Sequence, residues 1–148
     1  IPFDLAAMFA RIHATWFSHL PVPLVGWARS GGRRHQSHIR FGCYRHRPTA
    51  RITLHPKLDQ PWVARVFVEH VLFHELCHHA QAGTPQRGET MHSERFRAWE
   101  RRFPDHDLAL AWEKSVLHHF LDGTAPAIPA ADAALLGAAA GGGPVRIG

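Results

Sequence analysis

The chain has 148 residues, 45% of them hydrophobic, with five Trp and nine Phe, which suffices for one compact domain and not for two. No apolar run approaches the roughly 20 residues of a membrane span, and two cysteines, Cys43 and Cys77, are too few for a disulfide framework. The formal charge of +5 is unevenly placed, because no acidic residue lies between Asp4 and Asp59 while that span carries Arg11, Arg29, Arg33, Arg34, Arg40, Arg45, Arg47, Arg51 and Lys57.

Phe3, Ala6, Ala7, Ala10, Ala14 and Phe17 recur at helical spacing, with Asp4 near the start and Pro21 as a stop, so a first helix is expected over residues 3–20. Asp4, Arg11 and His13 interrupt this stretch and make it a poor signal peptide. From Leu24 to Leu54 the texture changes. "LVGWARS", "HIRFGCYRH" and "ARITLHP" are short, β-branched and aromatic, and are separated by "GGRR" and "RPT". Three antiparallel strands are expected, the first two as a hairpin.

Pro61 suits the first turn of a helix over residues 61–81, with Asp59 as its cap. "HSERFRAWERRF" predicts a short helix ended by Pro104, and "DLALAWEKSVLHHFL" a last one ended by Gly123. Residues 1–122 then form one α+β domain. Residues 123–148, rich in Ala, Gly and Pro, read as a flexible tail.

The second of these predicted helices carries the chemistry that stands out. "VFVEHVLFHELCHHAQAG" contains His74, Glu75, Leu76, Cys77 and His78, an HExxH pattern. Residues four apart lie about 40° from each other around a helix axis, so His74 and His78 can share one metal ion. Glu75 is then placed as a general base beside them. Val66, Phe67, Val71, Leu72 and Phe73 predict a buried helix, which gives such a site rigid and dry support.

A catalytic zinc needs a third protein ligand, and it must come from beyond the loop at residues 83–88. His92, opening the next helix, is preferred, with Glu89 and Glu94 as competitors. The remaining histidines have plainer roles. His70 reads as a supporting or polar-edge residue, His79 as solvent-facing, and His118 and His119 as cations suited to a helix C-terminus. Cys77 reads as a small buried apolar residue, and Tyr44 as a strand aromatic with a weak claim to stabilise an oxyanion.

"FHELCHHAQAG" followed by "MHSERFRAWERRF" resembles the SprT-like metalloproteases, the family that includes the Spartan proteases of DNA-protein crosslink repair. The "HSxRF" segment is also similar to the YgjP-like metal-dependent hydrolases. The resemblance covers roughly residues 3–121 and includes "VGWARS", "RFGCYRH" and "ARITLHPKLDQ", which look like the family's small sheet. It implies a zincin-like fold, one catalytic Zn2+ on His74, His78 and His92, Phe96 as the following aromatic, and a peptide or protein substrate laid along the last strand.

The basic span adds an expected nucleic-acid contact through Arg33, Arg34, Arg40, Arg45 and Arg51, since a one-sided field attracts polyanions. The expectation is a monomeric, cytoplasmic zinc endopeptidase that acts on proteins held near DNA. A general small metallopeptidase, or a DNA-binding module with structural zinc, are the alternatives.

Overall fold

The computed structural model describes residues 4–29 and 36–127. Arg33, Arg34 and the tail from residue 128 onward lie outside the described residues.

Asp4 caps the first helix, α1 (Leu5–Trp16), its Oδ1 accepting the Ala7 N–H at 3.0 Å. Leu5, Met8, Phe9 and Ile12 share its buried face. The helix stops earlier than its periodicity predicts because Phe17 turns inward, its ring 5.0 Å from that of Phe73.

Three strands follow: β1 (Leu24–Trp27), β2 (Gly42–Arg45) and β3 (Arg51–Leu54). Their order in the sheet is β1-β3-β2, with β1 parallel and β2 antiparallel to β3. The sheet is therefore mixed, and β1 and β2 do not form the expected hairpin. Burial explains the order. Ile52 and Leu54 of β3 are wholly buried while β1 exposes half of Leu24, so the strand with the most deeply buried side chains takes the position that is paired on both sides.

This order also moves the open edges. β3, expected to offer an edge to a peptide, is interior, and the free edges belong to β1 and β2.

The central helix, α2 (Arg65–Gly83), begins later than Pro61 predicts and has no side-chain cap at Ala64. Residues 56–58 form a single tight turn instead, with His55 Nδ1 accepting the Lys57 N–H. Trp62, Val63 and Ala64 are buried. Trp62 packs on Phe120 with ring centroids 4.7 Å apart, and this anchoring holds the segment out of the helix. Two helices complete the fold: α3 (Glu94–Glu100), capped by Ser93, and α4 (His106–Asp122), ended by Gly123 in the left-handed conformation at φ 69°.

Helix α2 is apolar on nearly every side. Val66, Phe67, Val68, Leu72, Phe73, Leu76 and Cys77 are all at most 1% exposed. It is the core, packed by α1, α3, α4 and the sheet, and each large apolar side chain buried there contributes on the order of 2 kcal/mol. A rigid helix in this position fixes whatever polar groups it carries.

Candidate metal centre

His74, Glu75 and His78 of α2 emerge on the side facing β2 and α3. His74 and His78, one turn apart, are joined there by His92, which precedes the Ser93 cap of α3. One ligand atom from each lies within 4.8 Å of the others, the only such group of three among the described residues. His92 Nε2 is 3.3 Å from His78 Nε2. The structure brings His92, and neither of the two glutamates, together with His74 and His78. Glu89 is held by Arg95 and Ser93, and exposed Glu94 pairs with Arg101.

Phe96 packs against all three rings, with centroids 5.1 Å from His74, 4.5 Å from His78 and 5.0 Å from His92. Its face limits the rotamers of each imidazole. The loop before it is clamped as well. Arg95 donates to both Glu89 oxygens at 2.6 and 2.9 Å and to the Thr84 carbonyl at 2.7 Å, and its guanidinium lies over Trp99. Arg95 and Ser93 together hold the Glu89 carboxyl down at about 2. His92 thus leaves a tied loop rather than a loose one.

Burial and the neighbouring imidazoles push His78 down to about 4, and burial lowers His92 too. Neutral imidazole is the form that ligates a metal. His74 differs. Burial opposes its charge, but the Glu100 carboxylate 2.5 Å from its Nδ1, with Glu75 nearby, more than offsets this and raises its pKa. With Nδ1–H directed to Glu100, His74 Nε2 is left with its lone pair.

Glu75 is buried, and its Oε2 is 4.0 Å from His74 Nε2. Burial raises its pKa, against the pull of His74 and Arg40. A carboxyl displaced upward in this way is suited to exchanging protons near neutrality.

A cleft opens on both sides of the imidazoles. One lobe, about 630 Å³, runs back along α2 past His74 to Phe67, between Phe41 and Leu110. The other, about 440 Å³, lies between Tyr44 and the loop at residues 85–91. Arg40, His78 and Met91 line both lobes. The groove therefore passes directly over the face that carries the three imidazoles.

Several sequence expectations change here. His79 is not solvent-facing but 4% exposed. Its Nε2 meets the Pro21 carbonyl at 2.7 Å and its Nδ1 the Tyr44 hydroxyl at 2.8 Å, because β2 and the α1–β1 loop cover that side of α2. The Tyr44 hydroxyl is also bonded to His46, which removes its claim on an oxyanion. His70 is fully inside, with Nε2 3.3 Å from His106 Nδ1. Arg40 lies in the cleft, while Arg45 and Arg51 lie on the exposed β2–β3 hairpin. Cys77 is buried, as its type predicts.

Glu100 and Glu113 were not singled out by sequence reasoning. Glu100 was within reach of it, since it stands four residues after Phe96 and so shares the face of α3 that meets the imidazoles. Glu113 gave no such sign.

Converging imidazoles, an adjacent buried carboxylate and a flanking sheet edge make this a metallopeptidase-like domain. Residues 5–115 match the model of the SprT-like family, and the chain belongs to that family. No curated protein and no solved structure matches the chain.

Proposed function

We propose that the chain is a zinc-dependent endopeptidase of zincin type, with His74, His78 and His92 as ligands and Glu75 as general base. The observation that carries this is the spacing of the imidazoles. Two nitrogens each about 2.0–2.1 Å from a tetrahedral zinc stand roughly 3.3–3.4 Å apart, and His78 and His92 Nε2 are 3.3 Å apart. Three imidazole nitrogens, one of them on a ring backed by a carboxylate, fit a catalytic zinc with an open position better than a closed structural site. Zinc bound there supplies Lewis acidity toward a carbonyl and a water.

The chain's own residues do the rest. Glu75 takes a proton from the attacking water and delivers it to the nitrogen of the leaving amine. The free edge of β2 orients the substrate. Because the Phe41 carbonyl accepts the His55 N–H on the β3 side, the backbone groups of Gly42 point the other way, toward the cleft. An extended peptide can pair with that edge whatever its sequence. Arg40 Nε now donates to the Gly42 carbonyl at 3.2 Å. Substrate pairing would release this guanidinium beside the scissile group.

For substrate class we favour proteins held near DNA, cut by a monomer in a reducing cytoplasmic or nucleoid setting. The support is electrostatic. Arg45 and Arg51 face each other directly across β2 and β3, both exposed and neither with an ion-pair partner among the described residues. Like charges opposed in this way are destabilising unless an anion lies over them.

The test follows, on a gel, cleavage of a basic protein by zinc-loaded wild type and Glu75→Gln, with and without single-stranded DNA. Cleavage that requires both Glu75 and DNA is expected. Cleavage that ignores DNA leaves a general peptidase, and cleavage by Glu75→Gln removes the mechanism.

A further inference from the structure

The larger lobe of the cleft has more chemistry than peptide hydrolysis requires. It extends from His74 back to Phe67, seven residues along α2, or about 10 Å. Its walls are Phe41, Phe67, Val71 and Leu110, and its acidic groups are Glu75, Glu100 and Glu113. Two of these are committed to the metal-ligating histidine: Glu75 adjoins it and Glu100 bonds it.

Glu113 is different. It stands three residues after Leu110 on α4, so the two project from one face over the lobe. It makes no hydrogen bond or ion pair with a described residue, and burial raises its pKa against the longer-range pull of His74. In the same lobe His70 Nδ1 is buried without a partner. The one guanidinium of the cleft, Arg40, lies where the two lobes meet. The lobe therefore offers an apolar passage with an unpaired carboxylate on its wall. A lysine or arginine side chain has the matching form, an aliphatic stem that packs on apolar surface and a cationic end that seeks acceptors.

We infer that this lobe is a specificity pocket for a basic side chain of the substrate, with Glu113 as the residue that selects it. The inference rests on reading the cleft as peptide-binding, and it deepens that reading by naming the substrate class. An apolar pocket without the selection would take norleucine as readily as lysine, so the two side chains discriminate between the possibilities.

The experiment uses peptides identical but for one position, which is scanned and carries lysine, norleucine or glutamate. Binding to zinc-loaded Glu75→Gln and to metal-free wild type is read by fluorescence anisotropy, and hydrolysis by zinc-loaded wild type is read separately. At one position the lysine peptide should bind at least about tenfold more tightly than the norleucine peptide, or about 1.4 kcal/mol. Adding Glu113→Gln should bring the two within about twofold, and Glu113→Lys should turn the preference toward glutamate. Equal binding of lysine and norleucine at every position, or a preference that survives Glu113→Gln, overturns the pocket. Hydrolysis without basic preference overturns the pocket alone. A Glu113-dependent preference with no hydrolysis of any peptide overturns the peptidase reading and leaves the pocket standing.

Discussion

Gly42 of β2 lies directly against Glu75 of α2. A Cβ at residue 42 would fall 2.8 Å from Glu75 Oε2 and 2.9 Å from Val71 Cγ1. The sheet thus approaches Glu75, the proposed general base, more closely than any side chain allows. Gly42→Ala should push the carboxylate aside, lowering kcat about a hundredfold, as small misplacements of catalytic groups do. Zinc content, measured on the same protein by metal analysis, should stay at one per chain. Loss of the metal together with activity would place the damage in the ligands instead.

Glu100 holds His74 through Nδ1. Supporting carboxylates of this kind contribute about 10–100-fold to metal affinity. Glu100→Ala should weaken zinc binding by that factor in competition with a chromophoric chelator. Unchanged affinity would show that the α3 carboxylate does not orient the ligand.

Arg95 tests the same centre from the loop side. Its guanidinium ties Thr84 to Glu89 in a forked geometry that lysine cannot reproduce. Both Arg95→Ala and Arg95→Lys should free the segment before His92, with severalfold weaker zinc binding and faster amide hydrogen exchange over residues 84–92. Rescue by lysine would reduce the clamp to a point charge.

His70 makes stability depend on pH. Burial is the main cause that lowers its pKa from 6.5 to about 4, helped by His106 and His74 and opposed by Glu100. The unfolded chain therefore binds a proton near pH 6.5 that the folded chain refuses until about pH 4. Stability from this group is complete above the upper value and is lost as pH falls through the window, by about 3 kcal/mol in all. Urea denaturation of metal-free wild type should show this extra acid sensitivity, and His70→Leu should lack it. Equal slopes in the two proteins would mean that His70 titrates freely.

Arg45 and Arg51 bear on the DNA proposal. On a single strand each phosphate contact contributes about 0.7 to the slope of log affinity against log salt. Replacing both with alanine should reduce the slope for single-stranded DNA by about 1.4. A slope that does not move would take the hairpin out of the interface.

Much of this was legible in the residues themselves. The HExxH spacing brings two imidazoles to one helix face by local geometry alone, and the apolar residues Val66, Phe67, Val71, Leu72 and Phe73 point to a buried helix. His92 was reachable because it opens the only helix start in range, and Gly123 ends α4 where a left-handed residue is needed. Local rules suffice wherever both partners lie within a few residues.

They fail where the partners are distant. Nothing in "ARITLHP" says that β3 would be paired on both sides, since pairing partners depend on which strand the core most needs to cover. His79 carries no mark of burial, because Tyr44 and Pro21 reach it across 35 and 58 residues. The same holds for the cleft. The sequence by itself determined the central helix and the sharing of one of its faces by His74 and His78, which are set by periodicity. Only the tertiary structure decided which strand edge meets the metal, which carboxylates surround it and which is left unpaired, because those depend on long-range packing that no local pattern encodes.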